Sequence, residues 1–553
     1  MDETFDFVIV GSGAGSLCAA LLMRSVGKRV LVLEKLDKVG GTTATSGGVM
    51  WIPNNRLMKT EDSREKAVAY LDALAVGEET AAPAATRERR LAFVEEGPKM
   101  IDFLVSQGIK LRWIPSYPDY YTGKPGALET SRTVTSELFD MSKLGAWKSK
   151  FPPSFLPLPV TIDEAQNLPW MKQSKEAKKV VGKIAFRTLL GKLTGKQLLA
   201  GGQGLQAQMV NAALKAGVEI RLGAAVKQIL VEGGRVKGVV AEIDGAERRI
   251  GATSGVLLNA GGFSRNQAMR DQYIAGTSTA WTNTGQGDTG EVIQEAMRIG
   301  AAVAQMGEMV GQPVALPPGR PAASLVHGDV TKPHSIIVDQ GGERFMNEAQ
   351  SYVELGRGLL EHKRVSPASW LILDSAYLQK YMFVGTMPGS AKPQPWFDQG
   401  FLKKGETLDE LAAACGIPAD KLRATVKRFN AFAKNGRDED FHRGERVYDR
   451  WLGDPFEKAA AQSLGTVEEG PFYAIQLYPG DVSTFGGLVT DAQARVLRDD
   501  GSVIEGLYAT GTSTASAFGR RSPGAGASIG PAFTFAYIAA KHAAHASNLA
   551  AAA

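Results

Sequence analysis

Two glycine-rich stretches at opposite ends of the chain have the spacing of backbone built to approach a flat or anionic group. In VIVGSGAGS, residues 8–16, an apolar strand runs into Gly11, Ser12, Gly13, Ala14 and Gly15. Gly11 permits a tight turn, and Gly13 lets the backbone close on a pyrophosphate held at the N-terminus of the following helix. Ser16 is a small substitute at the third glycine position. Glu34 ends the next strand, 21 residues after Gly13; a carboxylate there accepts a ribose hydroxyl and disfavours a 2′-phosphate. In GRRSPGAGASIGPAF, residues 519–533, two arginines and a serine precede a small-residue run that Pro531 directs into an alanine-rich helix. Taken alone, the first pattern also describes a strand-to-helix turn, and the second a loop before a surface helix.

Such residues act only if elements hold them. FDFVIV (5–10), the glycine turn, a helical pattern to about Val26 and the strand RVLVLEK form a βαβ opening of the dinucleotide-binding kind. Residues 218–262 carry hairpin turns at Gly233-Gly234 and Asp244-Gly245, then an apolar strand ending in Gly261-Gly262, and are expected to return to the same domain. From about 276 the chain is more polar and irregular, and TFGGLVTD and VIEGLYATGT restore the strand-and-glycine grammar. The expected division is 1–275 and 466–553 as two parts of one domain, with 276–465 inserted.

The chain has 553 residues, of which 44% are hydrophobic and 22% charged, with a net charge of +5. This composition is that of a globular protein, and no Lys/Arg block of nucleic-acid type appears. With only Cys18 and Cys415, a disulfide framework and a thiolate metal cluster are not expected. No pair among the six histidines has zinc-site spacing, so no metal is expected. The first residues enter a strand without signal-peptide features, which gives a cytoplasmic expectation. No run is long enough to span a membrane. The apolar, proline-rich FPPSFLPLPV at 151–160 leaves peripheral membrane contact open beside a lid or a buried loop.

After Glu34 the chain reads EKLDKVGGTTATSGG. With GGTTATSGGVMWIPNN, GGERFMNE, TFGGLVTD, GLYATGT and GAGASIGP in that order, the sequence resembles the fumarate reductase and succinate dehydrogenase flavoprotein superfamily over nearly its whole length. The resemblance implies an α/β fold: a Rossmann-type FAD-binding domain with an inserted α+β catalytic (cap) domain, and the substrate at their junction. It implies that Ser12, Ala14, Gly15, Lys35, Gly40, Gly41, Thr42, Thr43, Ser46, Gly47 and Gly48 line FAD. Val226 would meet the adenine side, and Ala260, Gly261, Gly511, Ala527 and Ile529 complete the site. The helix beginning near Pro531 would aim its positive end at the flavin pyrimidine. Members that tether FAD use a histidine in the segment occupied here by TTATSGG, so the FAD is expected to be noncovalent.

WIPSYPDYYTGKPGA, NEAQSYVELG and GRDEDFHRGERVYD resemble the 3-ketosteroid dehydrogenase branch, which introduces a ring double bond next to a ketone. By that resemblance Tyr352 is the base, and Tyr120 or its neighbour Tyr121 assists it; the bland alternatives are a packed core tyrosine and a turn aromatic. The Gly526 N–H would bind the ketone together with a tyrosine hydroxyl at the position held here by Ser522. That serine is a departure, compatible with a differently seated or bulkier ketone, a weakened enzyme or an introduced substitution. A steroid or steroid-like ketone and an unidentified electron acceptor are the implied partners, and the oligomeric state stays open. Arg521, with Arg520, could contact substrate or clamp a dicarboxylate, or answer acidic residues at the domain junction. Another enone oxidoreduction, dicarboxylate reduction and non-enzymatic flavin binding are the competing functions.

Overall fold

The computed structural model describes the chain except residues 79, 364, 365 and 553, with side chains described through 546. Its first sheet follows from the continuous apolar strand Glu3–Val10. Phe7 and Ile9 enter one core, and Phe5, Val8 and Val10 enter another, so this strand is covered on both faces. It pairs in parallel with Ala246–Leu258 on one side and Val30–Glu34 on the other. Val503–Ala509 and Glu219–Leu222 extend the parallel sheet, and Ala224–Glu232 and Arg235–Ile243 add an antiparallel branch. The helix Ala14–Ser25 and the last helix, Ile529–Ala552, pack on one face. They approach so closely that a Cβ on Gly15 would lie 2.3 Å from the Ala532 carbonyl oxygen, which explains the small residues on both.

The second sheet is antiparallel, ordered Ser324–Leu325, Met309–Ala315, Phe472–Thr484, Ser369–Leu373, Ser335–Asp339. Its central strand, Phe472–Thr484, lies beyond residue 465, where the sequence reading closes the insertion. At the other boundary, Val292, Ile293 and Ala296 still pack under the first sheet. The helix Tyr352–Lys363 crosses the strand Met309–Ala315 backbone to backbone: a Cβ on Gly356 would lie 2.3 Å from the Gln312 nitrogen.

A three-stranded sheet of Val49–Trp51, Thr133–Ser136 and Leu111–Trp113 lies beneath the C-terminal glycine loop. Trp51 N donates to the Gly526 carbonyl at 3.2 Å and Thr133 Oγ1 to the Ala525 carbonyl at 2.9 Å. Residues 141–197 lie between two paired segments, Phe139 with Leu199 and Asp140 with Leu198; Met141, Leu144 and Phe151 join the core, Val39 N donates to the Lys150 carbonyl at 2.7 Å, and Lys172 Nζ donates to the Pro388 carbonyl at 3.0 Å.

Candidate active site

Gly11 turns at φ +94°, and a Cβ there would meet the Asn259 carbonyl oxygen at 2.3 Å. Gly13 has nothing nearer than 3.8 Å to its would-be Cβ, so its backbone is open to a ligand. Glu34 also holds the turn: its Oε2 accepts from Ser12 N at 3.0 Å and Ser12 Oγ at 2.6 Å, and its Oε1 from Leu36 N at 3.0 Å. Ser12 Oγ accepts in turn from Gly40 N at 2.9 Å, joining the turn to the second glycine segment. Ala14 and Gly15 begin the buried helix.

Gly40, Gly41 and Gly48 all have positive φ. The loop they shape lies against residues 201–206: Gly202 N donates to the Ser46 carbonyl at 3.0 Å, and a Cβ on Gly48 would meet Gly201 at 2.2 Å. Thr42 Oγ1 accepts from Gly285 N at 2.9 Å, Ser46 Oγ donates to the buried Thr43, and Gly47 lies beside Ile162. Lys35 pairs with Glu291 at 2.9 Å and with Thr289. Val226 is half-buried on its strand opposite Ala241.

At the far end of the parallel strands, Ala260 N donates to Ser513 Oγ at 3.0 Å, and Gly261 turns at φ +84°. A Cβ on Gly511 would meet Asn259 Oδ1 at 2.5 Å. Gly511, Thr512, Ala527, Ser528 and Pro531 line a cleft at the start of the last helix, which begins at Ile529.

Two positions went unread in the sequence. Asn259 sits over Gly11 and Gly13, its amide against Ser16 Oγ at 2.8 Å. Gln206, packed against Gly40, buries both ends of its amide without a partner. Asparagine and glutamine carry no motif spacing, so only the fold brings them forward. Open glycine backbone, an orphaned amide and a cleft at a helix start fit a dinucleotide carrying a flat ring.

Tyr120, not Tyr121, meets Tyr352. Their rings lie edge to face with centroids 5.6 Å apart. Burial raises the Tyr352 phenol above its ordinary pKa of 10.0, and the Tyr120 hydroxyl lowers it again. Tyr120 is itself raised, by burial first and then by Tyr352 and Tyr448. Tyr448, 4.9 Å from the Tyr120 ring, buries an unpartnered hydroxyl. His327 lies 5.5 Å from the Tyr352 ring, and burial pulls it down to about 4, leaving it neutral at pH 7.

Tyr120 is tied to the C-terminal loop. Its N–H donates to the Pro523 carbonyl at 3.0 Å, an oxygen that also accepts from Tyr70 Oη at 2.7 Å. The preceding residue, Asp119, accepts from Trp51 Nε1 at 2.8 Å and from Arg132. Next to Pro523, Ser522 is 3% exposed, and its hydroxyl has no hydrogen-bond partner among the described residues. Gly526 turns at φ +100°, where a Cβ would strike the Val49 carbonyl at 2.5 Å. Its carbonyl is taken up by Trp51 and Gly530, whereas its N–H has no backbone acceptor among the described residues.

The neighbouring residues are occupied. Tyr121 Oη donates to Glu354 at 2.6 Å, fastening the loop to the Tyr352 helix. Arg521 pairs with Glu78 at 3.2 Å, donates to the Leu74 carbonyl and lies over the Tyr121 ring. Arg520 pairs with Glu308 at 2.8 Å and lies 3.5 Å from Glu361. Both guanidiniums thus answer carboxylates at the junction, the alternative to Arg521 as a substrate ligand.

A family profile described as FAD binding domain matches residues 6–529. The 3-oxosteroid 1-dehydrogenase of Mycolicibacterium smegmatis is 39% identical over 97% of each chain. The 4-oxocyclohexanecarboxylate 2-dehydrogenase of Sinomonas cyclohexanicum is 34% identical, over 98% of this chain and 92% of that one. Among solved structures, the 3-ketosteroid delta1-dehydrogenase of Sterolibacterium denitrificans, in complex with 1,4-androstadiene-3,17-dione, superposes with a TM-score of 0.92. It is 35% identical, over 98% of this chain and 100% of that one.

Proposed function

The chain belongs to the FAD-binding-domain family of flavoproteins, and from that premise we propose that it dehydrogenates a ring ketone, introducing a carbon–carbon double bond alpha,beta to the carbonyl. Its 39% identical relative and its structural neighbour are named for 3-ketosteroid 1-dehydrogenation, and that is the reaction proposed here. The observation that carries the reading is the buried Tyr120–Tyr352 pair beside the loop of Ser522 and Gly526.

In this reading the Gly526 N–H donates to the ketone oxygen and acidifies the adjacent C–H. Tyr352 acts as its phenolate, steadied by a hydrogen bond donated from Tyr120; its Oη takes the proton from that carbon and becomes the neutral phenol. The hydride leaves the neighbouring carbon, so one proton and one hydride depart and the double bond remains. Bound FAD supplies the hydride acceptor. Buried aromatic rings keep water from the reacting carbons. Turnover then consumes an external electron acceptor.

A dicarboxylate clamp is not supported, because Arg520 and Arg521 are committed to glutamates. A ring ketone smaller than a steroid is a second reading, favoured by the relative named for 4-oxocyclohexanecarboxylate.

Tyr352→Phe tests the main reading. It should retain FAD and the spectral shift on ketone binding, and lose about 10²-fold or more in turnover. Near-parental turnover, measured by anaerobic bleaching of the flavin band, would return Tyr352 to a packing role.

A further inference from the structure

Four arginines have buried side chains among the described residues. Arg132 answers Asp62 and Asp119, Arg270 answers Asp481, and Arg443 lies 3.2 Å from Glu348. The fourth, Arg89, is 2% exposed and meets no carboxylate at ion-pair distance among the described residues. Its helix neighbours Arg87 and Arg90 both reach Asp72 at 3.2 Å. Asp491 acts on Arg89 only at longer range and is itself paired with Arg495 at 2.7 Å. Arg89 also stands in the first turn of the helix Arg87–Ser106, behind the Thr86 cap, where the helix dipole opposes a positive charge. Burial pulls its guanidinium down to about 10, which leaves it charged at pH 7. A buried cation so placed calls for a partner that the chain itself does not supply.

The guanidinium borders the cleft at the start of the last helix. Nη1 donates to the Ala84 and Ala515 carbonyls at 2.7 and 2.9 Å, Nε is buried without a partner, and Nη2 has none among the described residues. Phe535 backs it from the last helix, its ring centroid 5.3 Å from the guanidinium carbon. Arg89 and Phe535 line the same cleft as Thr512, Ala527, Ser528 and Pro531. Positive charge therefore comes to one place from two independent elements, the side chain of Arg89 and the helix beginning at Ile529.

Hydride transfer brings two electrons and one proton to a neutral flat ring and leaves one negative charge on it. In a cleft walled by protein, fixed groups rather than water must meet that charge. We propose that Arg89 is the cation that meets it, stabilising the anionic reduced form of bound FAD and so setting its reduction potential. The proposal rests on FAD binding and not on which ketone is oxidised, so it stands or falls apart from the dehydrogenase reading.

The two-electron midpoint potential of the FAD-loaded full-length protein tests it, read against redox dyes during anaerobic photoreduction with no ketone present. The parent should have a reduction constant at least about tenfold above that of free FAD, a potential ~30 mV higher. Below pH 7 its potential should fall by ~30 mV for each tenfold drop in proton activity, as for one proton taken up per two electrons. Arg89→Gln keeps a donor for the two carbonyls and removes the charge; it should lower the reduction constant about tenfold and steepen the pH dependence toward two protons. Arg89→Lys keeps the charge and should stay within about threefold of the parent. A parental potential in Arg89→Gln overturns the proposal. Equal losses in the Gln and Lys variants also overturn it, and would make Arg89 a strut between residues 84 and 515. A parent that is reduced no more readily than free FAD, or that takes up two protons below pH 7, overturns it whether or not the variants fold.

Discussion

A serine hydroxyl at position 522 stops well short of where a phenol would end, so direct contact with a ketone held at Gly526 needs a shifted ring or a bridging water. Ser522→Tyr should raise the rate on simple 3-ketosteroids by about tenfold or more if the ketone sits beneath Gly526. If the pocket is shaped for another ring, the phenol takes its space, and activity falls on the true substrate with no gain on simple 3-ketosteroids. His327 gives a second test. Its folded pKa of about 4 is depressed from 6.5 by burial, so between those values the unfolded chain takes up a proton that the folded one refuses. Stability should be fully present above pH 6.5 and decline as pH falls toward 4, by at most about 3 kcal/mol. His327→Phe should shrink the difference between urea midpoints measured near pH 7 and near pH 5; an unchanged difference assigns the acid sensitivity to other groups. At this scale the glycines and Glu34 were legible because their spacing carries chemistry, and the tyrosines through the resemblance of their segments to a family. Asn259 and Gln206 were not, because their position depends on the return of a distant strand and helix.

Among the elements, the opening βαβ and the last helix could be read directly, since a strand apolar on both faces followed by a glycine turn has few other solutions. The strand Phe472–Thr484 was hidden by its own Pro479-Gly480, which reads as an interruption. In the fold Pro479 lies opposite Pro313, so two residues without an N–H share one rung and the ladder runs on. The Tyr352 helix depends on a similarly local feature. A Cβ on Gly356 would press on Gly311 and Gln312 backbone at 2.3 Å, where no flexible side chain can yield. Gly356→Ala should displace the helix, lower stability by about 1–3 kcal/mol and lower turnover with it. A parental Tm and rate would show that the helix has room to move.

Across the whole molecule the proposed site draws on three distant segments: Tyr120 from the first, Tyr352 from the helix over the second sheet, and Ser522 with Gly526 from the last. Composition could not show that meeting, and the motifs announced it only through their resemblance to a family. The glycine cradle has no histidine in its 40–48 loop, so acid precipitation should release FAD into the supernatant, and added FAD should raise the Tm of protein depleted of it. Flavin that stays with the precipitate would contradict noncovalent binding. The Pro523 carbonyl, which receives Tyr120 N and Tyr70 Oη, ties the Ser522–Gly526 loop to Tyr120 through the main chain. In the proposed reaction, main-chain spacing then gauges the distance from carbonyl oxygen to the carbon that gives up its proton. Regiochemistry is thus written into the backbone, and side chains such as residue 522 decide how firmly a ring is held against that gauge.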